Sequence, residues 1–577
     1  MNKSDFFIVI ILVILMGAWM YINPRYISPP LEKPLPTKES IDFESKNTSP
    51  SFNSINDNNL GIEKDNIPEK FISLNNDLIE VSISSKGGGI VSSKLYDFKS
   101  EDKQDSSSVI LDFKNLPALT YNLIGLDKED HYNVIKNNFD TKEVKISKKI
   151  NDYINFERII TLGEDYLINV QDTFINISSN LQELPNRSIH TGFMSNSKNT
   201  HKMMGESILG VDSYSLNGGI EYWGKPGNIN KKVFPKKNPP SYINITPKDM
   251  ENELVEWVSA KNKFFVQILH PIQSPGRMRV LCYRDNDKNP TSISSGLDFK
   301  NTNIKPNESL VYTFNYYVGP RDYYILKNYD QSYEKTREFE TTGFWSGWNI
   351  IMEPIRIGLN WSLIQLNNII PGGYGMAIIL LTIIIRILFH PLHKKSTDSM
   401  KRMQEIQPEI KSLQEKYQKD PKRLQQETMI LYKNKKVNPM GGCLPMFIQI
   451  PIFIALYTIL RGAIELRFVD FLWINDLSGP ENLFAGKIPI PFNSNDALNI
   501  LPILMSVSMV FQQKMTSAAT AITPEQKQQQ QMMMVMMPLM MLFFFYDMPS
   551  GLVLYWTISN LLMIGMTGFK NFKNKAA

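Results

Sequence analysis

Apolar blocks close to bilayer length decide what this chain can become. Residues 374–389, 443–460, 497–513, 528–546 and 548–569 are such blocks, and a sixth lies at 6–22. Each is near the length at which a helix crosses a hydrocarbon core. The 17 residues of 6–22 reach roughly 25 Å as a helix. That block ends in Trp19, Met20, Tyr21, Ile22, Asn23 and Pro24. Small residues suited to signal cleavage are missing there, so 1–23 reads as an uncleaved signal anchor. The count is six expected spans. The pair flanking Asp547, Pro549 and Gly551 forms a tight helical hairpin.

The 577 residues exceed one ordinary domain, at roughly 100–200 residues per domain. Mean hydropathy is slightly negative because a long polar stretch separates the first block from the others. Orientation follows from the loop 390–442, which holds 12 Lys/Arg against 6 Asp/Glu, an excess larger than the whole chain's net charge of +5. A short basic loop stays in the cytoplasm. Lys570, Lys573 and Lys575, in a short basic tail at 570–577, fall on the same side. Counting spans back puts both termini inside and the long polar stretch outside, in the periplasm of a Gram-negative cell. Cys282 and Cys443, the two cysteines, then lie on opposite sides of the membrane, which excludes a disulfide within the chain and a cysteine-based zinc site.

Residues 24–68 are rich in Pro, Ser, Asn, Asp and Lys and read as a flexible linker. From 69 to 320 the period becomes two. Ile79, Val81 and Ile83 alternate with polar residues, as do Leu310, Tyr312, Phe314, Tyr316 and Val318. Turn clusters such as Lys86-Gly87-Gly88-Gly89 punctuate the runs. This is a large β domain, expected to be a sandwich. Residues 321–373 connect it to the membrane. Within them Phe344, Trp345, Trp348, Ile350, Ile351, Ile355 and Ile357 suit an interfacial helix, which Pro371-Gly372-Gly373 ends. Residues 374–569 form a five-helix core around the 390–442 loop. In that loop Met400, Met403, Ile406, Ile410, Leu413 and Tyr417 recur at helical spacing. Asp420-Pro421 caps a second helix with Leu424, Thr428 and Leu431 along its seam. A charged helical hairpin is expected.

Few motifs carry chemistry. The stretch 219–226 mimics a phosphate-binding loop until Pro226 replaces the required Ser or Thr, and no helix pattern follows, so it reads as a surface turn. His390 and His393 flank Pro391-Leu392, but too few ligands accompany them for a metal site, and both read as interfacial. No cofactor is expected. Arg386 stands inside a span, where charge costs about 2.5–3.5 kcal/mol on insertion scales. Two readings of it stay open: a guanidinium facing a wet cavity, or one snorkelling toward the basic loop one turn away. Thr382 shares its helical face. Gln449, Ser559 and Asn560 are further polar residues within spans, and Trp556 lies one turn before Asn560. Each alone is ordinary helix-packing glue; together they would make a polar groove. The methionine run 532–541 suits a promiscuous apolar surface as well as plain packing.

These residues resemble the YidC insertase family. Thr382 to Arg386 (TIIIR), the following Pro-Leu and the Lys-rich hairpin match its second span and cytoplasmic loop. Leu431-Tyr432-Lys433, the run from Val437 to Pro445 (VNPMGGCLP), Gln449 to Phe453 (QIPIF) and Pro549 to Trp556 (PSGLVLYW) follow in order. Asn76-Asp77-Leu78, Lys86-Gly87-Gly88 and Val318-Gly319-Pro320 resemble the family's periplasmic β-sandwich. The resemblance implies a polytopic inner-membrane protein that is not an enzyme and integrates nascent membrane proteins without ATP, alone or with the Sec translocon. It implies a hydrophilic groove open to cytoplasm and lipid, with Arg386, Thr382, Gln449, Trp556, Ser559 and Asn560 as substrate contacts. Trp556 stands where Tyr is often found. The ribosome is a further implied partner through the hairpin, and membrane lipids surround the core; no sequence-specific nucleic-acid binding is implied. Two rivals differ in kind. A transporter predicts paired intramembrane charges or inverted repeats, and this sequence has one such Arg and no repeat. A membrane-tethered carbohydrate-acting protein predicts convergent carboxylates in the β domain.

Overall fold

The computed structural model describes residues 68–101, 105–138, 142–195, 209–222, 242–246, 253–283, 291–337, 349–418, 420–435, 437, 444–484, 497–516 and 524–576. The expected anchor at 6–22, the linker up to 67, Trp345, Trp348, Cys443 and the end of the 219–226 stretch lie outside the described residues.

Period-two patterning in 71–320 produces sheets. Phe71–Asn75, Ile79–Ser84, Ile90–Lys99 and Ser108–Asp112 make a four-stranded antiparallel sheet. A fifteen-stranded sheet faces it, with Phe265–Pro271, Ser309–Pro320, Leu167–Asn176 and Ile154–Leu162 as consecutive neighbours near its middle. Ile79, Val81 and Ile83 from the small sheet share one core with Phe156, Ile160, Val170, Phe174, Phe314 and Tyr316 from the large one. Side chains two apart point the same way, so Ile154–Leu162 and Leu167–Asn176 bury alternate residues, as the period of two predicts. Phe265–Pro271 departs from that expectation and is buried on both faces.

The same alternation buries a charge. Along Ile154–Leu162 the inward positions are Ile154, Phe156, Arg158, Ile160 and Leu162. Arg158 lies directly across from Asp172 on the neighbouring strand. The pair is bidentate, with Nε–Oδ1 at 2.6 Å and Nη2–Oδ2 at 2.7 Å. Arg158 Nη1 also donates to the carbonyls of Gly88 (2.8 Å) and Leu119 (2.7 Å), and the Tyr121 hydroxyl donates to Asp172 Oδ2 (2.8 Å). Gly88 sits at φ +59°, where a Cβ would come within 2.9 Å of the Tyr132 ring. A side chain there would be strained and crowded.

Helices follow: α1 (Tyr323–Lys327), α2 (Asn349–Ile369), α3 (Gly373–Leu388), α4 (His390–Glu405), α5 (Gln407–Lys416), α6 (Pro421–Asn434), α7 (Leu444–Arg461), α8 (Ile500–Thr516), α9 (Pro524–Phe545) and α10 (Ser550–Ala576). Among the described residues, Ser550–Gly568 is the one helix long and apolar enough by itself to cross a membrane. Gly373–Leu388 with His390–Met403 forms a second candidate, bent by 55°, and Gln449–Arg461, Ile500–Met515 and Met534–Phe545 are shorter apolar helices. α3, α7, α8, α9 and α10 share one apolar cluster, including Ile378, Leu381, Leu456, Met505, Phe545 and Val553.

In the basic loop the expected single first helix is two. Pro408 occupies the first turn of α5, which restarts the helix after Ile406. Asp420 caps α6 by accepting from the Arg423 amide at 3.1 Å. Ile406, Ile410 and Val437 pack together with Leu431 and Tyr432, and Lys435 pairs with Glu409. The end of α6 therefore packs back against the start of α5.

The β region is tied to the segment between α7 and α8. Ile464 belongs to the β-domain core. Lys263 Nζ donates to the Ser478 carbonyl at 2.8 Å, and Arg337 Nη1 donates to the carbonyls of Arg321 (3.0 Å) and Gly462. The carboxyl oxygens of Glu465 are buried at this junction. Burial first, and the Asp322 carboxyl beside it, push the Glu465 carboxyl up to about 8 against the pull of Arg337.

Candidate functional site

The inward face of α3 carries the site. Gly375, Ile378, Thr382, Ile385 and Arg386 are buried, whereas Ile384, Ile387 and Leu388 are exposed. This is the i, i+3, i+4, i+7 spacing of one helical face. Gly375 lets α3 start close to the α7–α8 segment, since a Cβ there would come within 2.1 Å of the Phe471 ring. α10 is pinned at its own start, where the Ser550 amide and hydroxyl each donate to the Gly479 carbonyl at 2.7 Å. Both helices therefore hang from one segment and run side by side.

Arg386 lies on the inward face of α3 and is 7% exposed. Its Nε donates to Ser559 Oγ on α10 at 2.9 Å, and Nη2 reaches the same oxygen. Its Nη1 lies 3.1 Å from His393 Nε2 on α4. Both partners are uncharged groups or can be. Among the described residues no carboxylate pairs with Arg386. The site therefore presents a fixed positive charge without a carboxylate counter-ion among the described residues.

The other expected residues divide. Thr382 is buried and donates back to the Ile378 carbonyl at 2.7 Å, so its hydroxyl is spent within its own helix. Gln449 Nε2 on α7 donates to the Tyr555 hydroxyl at 2.6 Å. Trp556 packs edge-on to Phe453 at 5.0 Å and tilted against Phe545 at 5.3 Å. Asn560 turns toward α8, donating to Ser508 Oγ at 3.1 Å. Ser559 thus joins Arg386, Gln449 joins Tyr555, and Asn560 joins Ser508. His393, Tyr555 and Ser508 were not singled out as groove residues by the sequence. His393 was read as interfacial, yet it contacts the arginine; the hydroxyl one residue before Trp556 belongs to Tyr555. Among the described residues no group of His, Cys, Asp and Glu could hold a metal ion.

Two family models match. One described as 60Kd inner membrane protein covers residues 365–576, and one described as YidC periplasmic domain covers 71–355. A membrane protein insertase YidC from Endomicrobium trichonymphae is 30% identical over 504 residues, covering 86% of this chain and 83% of that one. One from Syntrophus aciditrophicus (strain SB) is 36% identical over 361 residues, 62% of this chain and 58% of the relative. With that relative and with one from Leptospira interrogans the chain spans less than two thirds of the relative's length, 58% and 57%. A solved structure described as an active YidC insertase with the first transmembrane domain resolved is 20% identical, with a TM-score of 0.34, over 87% of this chain and 93% of that one.

Proposed function

Because the chain belongs to the YidC family of membrane protein insertases, inner-membrane proteins with a periplasmic domain, we propose that it integrates nascent membrane proteins into the inner membrane through the polar site around Arg386. The observation that carries this reading is the buried guanidinium on the inward face of α3, anchored by Ser559 and not neutralised by any described carboxylate. The reading includes six spans, both termini in the cytoplasm, the β domain outside and the 394–436 hairpin as a docking arm for clients or ribosomes. The Sec translocon is a proposed partner. The charge excess of the 390–442 loop supports this orientation.

The mechanism rests on cost. A hydrophilic client tail crossing bare lipid leaves backbone groups unsatisfied, at about several kcal/mol each. A wet groove spanning part of the bilayer shortens the dry path. A fixed cation there attracts carboxylates more strongly than it would in bulk water. The client's apolar span then leaves for lipid, and its burial supplies the driving force without ATP. Thr382, Gln449, Trp556 and Asn560 line or support the groove in this reading.

Depletion of the protein, with complementation by variants at matched levels, is the test. The readout is protease protection of translocated tails, for paired clients whose tails are acidic or neutralised. Arg386→Ala lowers insertion of the acidic client several-fold and that of the neutral client less; Arg386→Lys retains much of the activity. Equal insertion of both clients by Arg386→Ala and the parent would assign Arg386 to packing alone.

A further inference from the structure

The guanidinium of Arg386 is held from two directions. Ser559 on α10 accepts from Nε and Nη2, and His393 Nε2 on α4 meets Nη1 at 3.1 Å. A guanidinium has five N–H donors and no acceptor. The imidazole nitrogen facing it must therefore accept, which requires a neutral ring with its hydrogen on Nδ1. A protonated ring would turn a donor toward a donor and place a second cation beside the first.

From this geometry we infer that His393 is a positioning residue of the groove, which fixes Arg386 by accepting a hydrogen bond as a neutral imidazole. The inference rests on the insertase reading above and deepens it. α3 ends at Leu388 and α4 begins at His390, and the 55° bend between them turns α4's first turn back toward Arg386. A carboxylate at position 393 would hold the arginine as well but cancel its charge. A neutral acceptor orients it and leaves the charge available to a client.

Arg386 from α3 and His390 from its own helix place positive charge beside His393. Lys394 and Lys395 on α4 are exposed, and Asp398, Lys401, Arg402 and Glu405 follow further along the same helix. α7, which packs against α4, carries Tyr457 and Arg461 as its titratable residues, both toward its far end. Tyr555 on α10 lies near Arg386. The charges of α5 begin at Glu409, several turns further along the chain.

Burial first, then Arg386 and His390, lower the His393 imidazole to about 4, so the ring is neutral at working pH. The experiment uses the full chain in proteoliposomes and the acidic-tailed client, with the pH on the hairpin side varied between 5.5 and 8. The parent's insertion holds steady across that range. His393→Gln, whose amide oxygen can accept, inserts like the parent throughout. His393→Lys, a permanent donor, inserts about tenfold less at every pH, the scale of one lost hydrogen bond to a charged group. Arg386→Ala runs alongside. If Arg386→Ala is impaired while His393→Lys inserts like the parent, the positioning role is overturned and the insertase reading stands. If Arg386→Ala matches the parent, both fall. Nitrogen-15 spectra of the His393 ring in the intact protein give a readout independent of insertion. A bare, accepting Nε2 at pH 8 is expected, and a hydrogen on Nε2 would overturn the inference.

Discussion

Ser559 accepts from Arg386 across 173 positions of sequence, with Nε 2.9 Å from its hydroxyl oxygen. The two side chains, both buried, join the last turn of α3 to α10. The arginine supplies the charge, and the serine fixes where that charge sits without reducing it.

Replacing the serine separates those roles. Ser559→Ala removes the acceptor and leaves two guanidinium N–H groups to find another, at about 1–3 kcal/mol. Insertion of acidic clients should fall, but less than with Arg386→Ala, because the charge remains. Ser559→Asp keeps the anchor as an ion pair and cancels the charge. It should abolish the preference for acidic over neutral tails while the thermal midpoint stays near that of the parent. Retained preference in Ser559→Asp would show that geometry, not net charge, selects clients.

Much of this site was readable from spacing. Thr382 and Arg386 lie four apart beside Ile378 and Ile385, so the face of α3 was visible in the sequence. Its direction was not, because snorkelling toward the basic loop uses the same residues. Ser559 and Asn560 looked equivalent, yet adjacent helical positions point about 100° apart, and Asn560 turns to Ser508. His393 was invisible because its contact depends on the angle between α3 and α4, which no periodicity encodes. In the β domain, alternation located the core strands, but it marks Arg158 only as a polar residue at an inward position. Its partner Asp172 follows from strand register. The ties of Lys263 to Ser478 and of Arg337 to Gly462 join segments more than 100 positions apart, beyond any local signal.

The buried pair in the β domain gives a stability prediction. Asp172→Ala strands a fully buried guanidinium. Breaking such a pair costs about 3–5 kcal/mol. The full-length protein should show a lower melting transition for the β domain, and Asp172→Asn should recover part of the loss by accepting one hydrogen bond. A melting temperature unchanged in Asp172→Ala would mean that the Gly88 and Leu119 carbonyls suffice to hold Arg158.

Cys282 offers a test of orientation. It is fully buried, and burial pushes its thiol up to about 12, so the native protein should resist thiol reagents. In a Cys443→Ser background, an impermeant maleimide applied to spheroplasts should label Cys282 only once denaturant opens the β domain. Labelling that requires lysis, even with the domain unfolded, would place that domain inside the cell.

The junction between the β domain and the α7–α8 segment should weaken as pH rises. The Glu465 carboxyl moves from an ordinary value of 4.5 up to about 8, chiefly through burial. The folded state therefore holds this proton more tightly than the unfolded chain does. Its stabilising contribution is complete below about 4.5 and is lost as pH climbs through about 8. Lys263, nearby, moves the other way, lowered from 10.5 to about 8 by burial. Below about 8 it is charged both folded and unfolded, so it adds little slope there; its own window lies above. Between pH 5 and 7.5 the parent's melting temperature should accordingly decline with pH on account of Glu465. Glu465→Gln mimics the protonated form, so its profile should be flatter and its stability at pH 7.5 higher than the parent's. Thermal unfolding of the two full-length proteins across that range is the measurement. Equal slopes would mean that Glu465 already ionises in the folded state, with Arg337 outweighing its burial.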